Sequence, residues 1–486
     1  MRLPVLESAS SSRPPVRRAS RAGRLLGLVF LGTLAGCGGG GSSFDPSNAP
    51  NLVLISIDTM RPDFLGCYGY ERDVSPAIDA LATEGTVFED VTSASPWTLP
   101  SHATMLTGQY PSTHGVETSE RALTETTITS WLKQAGYQTF AVANAHNVGH
   151  PRYGLLAGFD PDHAVYVPEI EVNGGPIFNR AKLILQHGMR MLDARDPELP
   201  FFLFLHFYDV HTDFTPEERW RQAFVEPYQG DMSTVTIEMV KKRNKVLRGQ
   251  DVFRPEDFAF LEQMYDAEIR TFDERMKVFF DYLEAKGLSD ETVVCITSDH
   301  GEEYGEHGSI LHGRTHYQEL VRIPWILRGP GVPAGQRVER PVHLVDVVPT
   351  LLSLAGMPAL PGVDGYDATL SWRDPSALPS LRYLFSEADH NNLVNGQTRN
   401  NFKKSVRLEN WVLHYNLVTG TKELYDLEKD AFERNDLAAQ EPERVQQLFE
   451  KLEAYMQREG SAKDIGEVSA EEQEKLEALG YGGLDE

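Results

Sequence analysis

Thr98 lies in the stretch Ser95-Pro-Trp-Thr-Leu-Pro-Ser-His-Ala-Thr-Met-Leu-Thr-Gly108, which reads as a short apolar helix. Gly108 stops it, Pro100 fits its first turn, and Thr98 stands at or just before the N-cap. Unpaired N–H groups and the positive dipole end gather there, a place suited to a phosphate or sulfate. A hydroxyl at such a point is either an ordinary helix cap or a nucleophile. Two further stretches bear on the choice. Asp58 follows the apolar run 51–57, as a turn residue or a metal ligand, and Asp299-His300-Gly301-Glu302 follows the run 292–298. Asp and His offer hard oxygen and borderline nitrogen to one divalent ion, and Gly301 permits a tight turn. Glu302, Glu303 and Glu306 crowd the same loop with negative charge that only a cation or open solvent makes tolerable.

The elements that must position these groups follow from the hydrophobic pattern. Runs 51–57, 201–207 and 292–298 are continuously apolar, as strands buried on both faces of a parallel sheet are, and ligand sites lie just past the carboxyl ends of such strands. Helices are expected over 75–85, 129–136 and 258–287, with a strand over 139–143. This alternation predicts an α/β fold with a doubly wound, mostly parallel sheet. After residue 361 the composition turns to hairpin strands, 381–387, 403–408, 410–416 and 422–427, closed by a helix over 441–458: a small C-terminal antiparallel α+β domain. Residues 215–257 read as an insertion that narrows substrate choice. His146 and His150 read as solvated loop residues, and His206 as a packing residue within its strand. The tail, with Leu476 and Leu479, is expected to pack back on the surface.

The 95–108 stretch resembles the nucleophile segment of the sulfatase family, in the alkaline-phosphatase superfamily, whose pattern runs Cys/Ser-x-Pro-Ser-Arg-x-x-x-Leu-Thr-Gly. Thr98 takes the nucleophile position, Pro100, Ser101 and Leu106-Thr107-Gly108 match, and His102 replaces the Arg. Ser298-Asp-His-Gly-Glu302 resembles the superfamily's second metal motif, and the likeness runs from residue 50 to about 482. The resemblance implies Asp58, Asp299 and His300, with the Thr98 oxygen, as metal ligands. It implies that His211 contacts the transferred oxyanion and that Asp209 orients or holds a second metal. His312 falls where sulfatases have a Lys, and would protonate the leaving group or ligate a second zinc. His102 would bond Thr98 or fill space.

Sulfatases oxidise their Cys or Ser to an aldehyde, formylglycine; the methyl on the threonine Cβ would make that product a ketone. Thr98 is therefore read as an unmodified alkoxide. The expected activity is metal-dependent hydrolysis of phosphoester or phosphodiester bonds through a phospho-threonine. A sulfuric ester hydrolase and a non-catalytic binding lipoprotein are the alternatives. One or two divalent ions are expected, zinc or manganese ahead of calcium. The substrate would be a small-molecule, glycan or lipid anionic ester.

The N-terminus gives the address. Six Arg and one Glu precede the end of an apolar segment that closes on Leu34-Ala35-Gly36-Cys37, a pattern resembling a bacterial lipobox with Cys37 as the acylated residue. The expected division is signal and lipobox over 1–37, flexible tether over 38–50, catalytic domain over 51–375 and C-terminal subdomain over 376–486. The implied location is the cell envelope, at the outer membrane or periplasmic face, with the membrane contacted only through that lipid. Formal charge is −25 for the whole chain and −30 beyond Cys37. So acidic a surface excludes nucleic acid as a partner, and an anionic substrate must be drawn by a local field. Cys67 and Cys295 are expected to be two buried thiols with no bridge.

Overall fold

Every residue of the three long apolar runs is buried, as strands covered on both faces require. The computed structural model describes residues 44–168, 180–394, 397–466 and 469. In chain order, the elements used below are β1 (Asn51–Ile57), α1 (Pro76–Thr83), β2 (Thr86–Phe88), α2 (Thr98–Thr107), α3 (Ile128–Gln134), β3 (Gln138–Ala143), β4 (Ala164–Tyr166) and α4 (Arg180–Ala194). They continue with β5 (Phe201–Phe207), α5 (Glu218–Phe224), α6 (Thr236–Leu247), α7 (Pro255–Ala285), β6 (Thr292–Thr297), β7 (Trp325–Arg328), β8 (Gln336–Val338) and α8 (Val347–Leu354). The last are β9 (Tyr383–Val394), β10 (Gln397–Leu408), β11 (Trp411–Asn416), β12 (Lys422–Asp426) and α9 (Pro442–Met456). Cys37 and the rest of the leader, and Leu476 and Leu479 of the tail, lie outside the described residues.

The main sheet has eight strands in the order β8-β2-β7-β6-β1-β5-β3-β4. All neighbours are parallel except β7, which runs antiparallel to both β2 and β6. Helices cover both faces, and the strand period of two divides the core accordingly. Leu52, Leu54, Phe202, Phe204, Val293 and Cys295 join Leu99, Ala103 and Leu106 of α2 in one cluster. Val53, Ile55, Leu203, Leu205, Val294 and Ile296 join Leu261, Ile269 and Phe272 of α7 in the other. This is the doubly wound, mostly parallel architecture expected.

The small sheet, β9-β10-β11-β12, is antiparallel throughout and packs against α9. It is stitched to the large layer close to α2: Glu387 N–H donates to Ala94 O, Ser95 Oγ donates to Glu387 O, and Ser386 bonds Ser93 O. From Phe44 onward the described residues pack as one unit.

Several local expectations need correction. The 215–257 insertion is two helices, α5 and α6, joined by loop, and α6 buries Met239 and Val240 in the α7-side core. His146 is buried at the start of a short helix, His146–Gly149, with its ring tilted against that of His150; Tyr153 and Tyr166 of β4 pack against it, where solvent was expected. Cys295 is buried, whereas Cys67 is only half-buried; neither forms a disulfide.

Candidate active site

Strand phase assembles the site. On the face turned to α2, the inward series 52, 54, 56 continues to Asp58, 202, 204 continues to His206, and 293, 295, 297 continues to Asp299. Ser56 pairs with both His206 and Thr297 in register, so these side chains emerge together at the carboxyl edge. Above them α2 begins. Trp97 is its N-cap and Thr98 its first helical residue, and Gly108 ends it in the left-handed conformation at φ 70°.

Asp58, Thr98, Asp299 and His300 are all fully buried. Thr98 Oγ1 lies 3.3 Å from His300 Nε2. That same nitrogen is 3.6 Å from Asp58 Oδ1 and 3.4 Å from Asp299 Oδ2. His300 Nδ1–H donates to Gly301 O at 2.9 Å, which fixes the tautomer and leaves Nε2 bare toward the carboxylates. Asp299 Oδ1 accepts from the N–H of Thr59 and His300, while its Oδ2 accepts no hydrogen bond. No lysine or arginine ion-pairs with Asp299 among the described residues. Donor atoms of Asp58, Asp299 and His300 lie within 4.8 Å of one another. Two buried carboxylates facing one bare imidazole nitrogen fit a divalent cation.

A second cluster adjoins the first. The His312 ring is 4.4 Å from that of His300 and 4.9 Å from that of His211, and donors of His211, Glu302 and His312 also lie within 4.8 Å of one another. His312 Nδ1 is 3.1 Å from Glu302 Oε1. Burial, and then the Asp58 charge, push the Glu302 carboxyl well above its ordinary value. His211 Nδ1–H donates to Thr212 O, and Tyr208 O–H donates to its Nε2 at 3.2 Å. Burial pushes His211 down to about 3, which keeps it neutral.

Asp209 sits elsewhere than expected, whereas His102 does bond Thr98, through its backbone. Asp209 is in neither cluster; its Oδ1 accepts Ala181 N–H at 2.8 Å in the first turn of α4, and burial raises its carboxyl. His102 donates from Nδ1 to Thr98 O at 2.8 Å and meets Ser56 Oγ at 2.9 Å through Nε2. It therefore braces the backbone of Thr98 and not the hydroxyl. Sequence reasoning passed over His206, whose Nε2 is 3.5 Å from Asp58 Oδ2 and whose Nδ1 meets Ser56 Oγ at 3.2 Å. Its even strand phase, shared with Phe202 and Phe204, was the available signal.

The fold and this edge of buried acids and imidazoles under a helix N-terminus define a hydrolase of the alkaline-phosphatase-like type. The family model for Sulfatase matches residues 50–357. The chain belongs to the sulfatase family. It is 25% identical over 459 residues to an arylsulfatase of Clostridium perfringens, covering 80% of this chain and 90% of that one. It is 23% identical to an N-acetylglucosamine-6-O-sulfatase of Bacteroides thetaiotaomicron, covering 94% and 95%. Among solved structures, a protein in complex with its substrate D-glucosamine-2-N,6-O-disulfate matches with TM-score 0.67 at 21% identity, covering 84% of this chain and 98% of that one. The phosphonate monoester hydrolase of Agrobacterium radiobacter matches with TM-score 0.64 at 19% identity, covering 87% and 99%. The curated relatives favour sulfate esters over the phosphodiesters expected from Thr98.

Proposed function

We propose that this chain is a metal-dependent hydrolase of sulfuric esters that uses Thr98 as an unmodified nucleophile. The observation that carries this is the buried Thr98 hydroxyl at the start of α2, 3.3 Å from His300 in the Asp58–Asp299–His300 cluster. A divalent ion held by Asp58, Asp299 and His300 would acidify that hydroxyl and polarise a non-bridging ester oxygen. Thr98 Oγ1 bonds the central atom as the ester oxygen leaves. N–H groups of the first turn of α2 would meet the developing charge, while His211, with its Nδ1–H given to Thr212 O and its Nε2 accepting from Tyr208, packs beside His312. His312, beside Glu302, protonates the departing alcohol. Water then cleaves the threonyl ester. His206 and His102 hold Asp58 and the Thr98 backbone in place. Zinc or manganese suits the mixed oxygen and nitrogen donors, with calcium the competitor.

The second reading is phosphorus-ester hydrolysis by the same residues, and Thr98 itself favours it. Lacking the second hydroxyl of a formylglycine hydrate, Thr98 can release its covalent ester only by attack of water at the central atom. The proposed location is the cell envelope through a lipid on Cys37, with the chain divided near residue 375. The test loads residues 38–486 separately with zinc, manganese and calcium and offers an aryl sulfate and an aryl phosphodiester, with Thr98→Ala as control. Sulfate cleavage lost in the variant supports the first reading; diester cleavage lost in the variant installs the second. Activity on neither ester with metal bound would move the protein to the binding class.

A further inference from the structure

We propose that Arg243, on the inserted helix α6, forms with Arg314 a subsite for a second anionic group, a carboxylate or a further sulfate, carried by the leaving alcohol of the substrate. This deepens the hydrolase reading and rests on it.

Helix α6 is anchored beside the site: Thr236 Oγ1 donates to Thr212 Oγ1 at 2.8 Å, next to His211. Met239, Val240 and Arg243 are all buried, and Arg243 follows Met239 by one turn, so the guanidinium shares the helix face that turns inward. Its neighbour Lys242 ion-pairs with Asp231 at 2.8 Å. Arg243 is 3% exposed, its Nε has no hydrogen-bond partner, and no carboxylate lies within ion-pair distance of it among the described residues. A guanidinium does not shed its proton in a protein, and a buried one without a counter-charge is costly.

The surroundings say where the missing anion belongs. Burial, and then the Arg314 charge, push the Arg243 guanidinium below its ordinary range, against the charges of Glu302 and Glu303, which raise it. Glu302 is the partner of His312, and Arg314 follows His312 by two residues. Contacts therefore run outward from Thr98 through His300 and His312 to Glu302, whose charge reaches Arg243. His312 faces the departing oxygen, so the body of the alcohol extends toward the two arginines. Like charges gathered this way in a chain of net charge −25 are stabilised by an arriving anion, and the guanidinium fork matches carboxylate or sulfate oxygens in pairs.

Binding and turnover separate this inference from the hydrolase reading. The affinities of phenyl sulfate and of the same ester with a para-carboxylate are measured by calorimetry on metal-loaded Thr98→Ala protein, with Arg243 intact, as Arg243→Gln and as Arg243→Lys. With Arg243 intact the carboxylated ester binds about 10- to 100-fold tighter, the range of a charge-assisted pair. That ratio collapses toward one in Arg243→Gln and is partly kept in Arg243→Lys, which retains the charge and not the fork. Equal affinities with Arg243 intact, or a loss that is the same for both esters in Arg243→Gln, overturns the inference and leaves Arg243 as a counter-charge to Glu302. If Arg243→Gln does not fold, Arg243→Lys decides: an unchanged ratio overturns the proposal. A preserved ratio with no turnover by the wild-type chain refutes the hydrolase reading alone.

Discussion

Thr98 is the residue on which the chemistry turns, because the methyl on its Cβ excludes the aldehyde that a Cys or Ser could become. If the hydroxyl acts as it stands, Thr98→Ser keeps the nucleophile and retains activity within about tenfold, while Thr98→Ala loses on the order of 10³-fold or more in kcat/KM. Steady-state kinetics on one aryl ester checks both. His312 carries a different signature. As the proton donor, its replacement by Gln costs about 10²- to 10⁴-fold on esters of poor leaving alcohols and far less on nitrophenyl esters. A uniform loss across leaving groups would instead point to a binding role. At this scale the sequence pointed to Asp58, Thr98, Asp299 and His300, since each follows a strand or opens a helix, while the roles of His211 and His312 came only from the family resemblance. His206 was hidden because a histidine within an otherwise apolar strand looks like packing until its neighbour, Ser56, is known.

The elements hold these residues through close approach as much as through turns. Gly301 does not adopt the left-handed conformation, so a tight turn is not what requires it. A Cβ at that position would meet Glu319 O at 2.1 Å and Arg61 Cγ at 3.1 Å. Its N–H donates to Leu320 O at 2.8 Å, so the Asp299–His300 loop lies flat against the segment before β7. Gly301→Ala must displace one of the two, and is expected to cost about 2–4 kcal/mol of stability and to weaken metal binding together. Thermal melts with and without metal read this; an unchanged melt with full metal content would contradict it. The strands and α2 were legible from apolar runs and a Gly stop. The packing of two chain-distant loops was not, because no local pattern reports which backbone a glycine faces. The insertion was less legible: it read as a polar segment that narrows substrate choice, and its composition did not show that Met239, Val240 and Arg243 are buried.

Across the whole molecule, histidines on opposite sides of their ordinary value set the pH range. Burial holds His102, His114 and His211 down to about 3 and His206 to about 4. Between those values and about 6.5 the unfolded chain binds protons that the folded chain refuses, so stability falls as pH drops through that window. His307 is the opposite case. Burial alone would lower it, but its 2.7 Å bond to Glu319 raises it to about 9. Its Nε2–H reaches Glu433 O at 3.2 Å, tying the site loop to the segment before α9. That contribution is complete below about 6.5 and is lost as pH rises through about 9. The melting temperature should thus fall by a few degrees between pH 7 and 9, and His307→Gln should lessen that slope, the remainder belonging to Glu268, which burial raises to about 8, while leaving the acid side unchanged. An undiminished slope in His307→Gln would show that other groups carry it. The alternation of strands and helices made the large layer readable. How the C-terminal sheet docks on the loop before α2 was not, since its bonds from Ser386 and Glu387 to residues 93–95 join segments almost 300 residues apart.

The most direct measurement is rapid-quench peptide mapping of the metal-loaded chain during turnover of an aryl sulfate and of an aryl phosphodiester. A sulfuryl or phosphoryl group on Thr98, formed at the rate of alcohol release, is the expected result, with an unmodified threonine at that position in the resting protein. Alcohol release with no adduct on Thr98, or an adduct on another residue, would contradict Thr98 as the nucleophile.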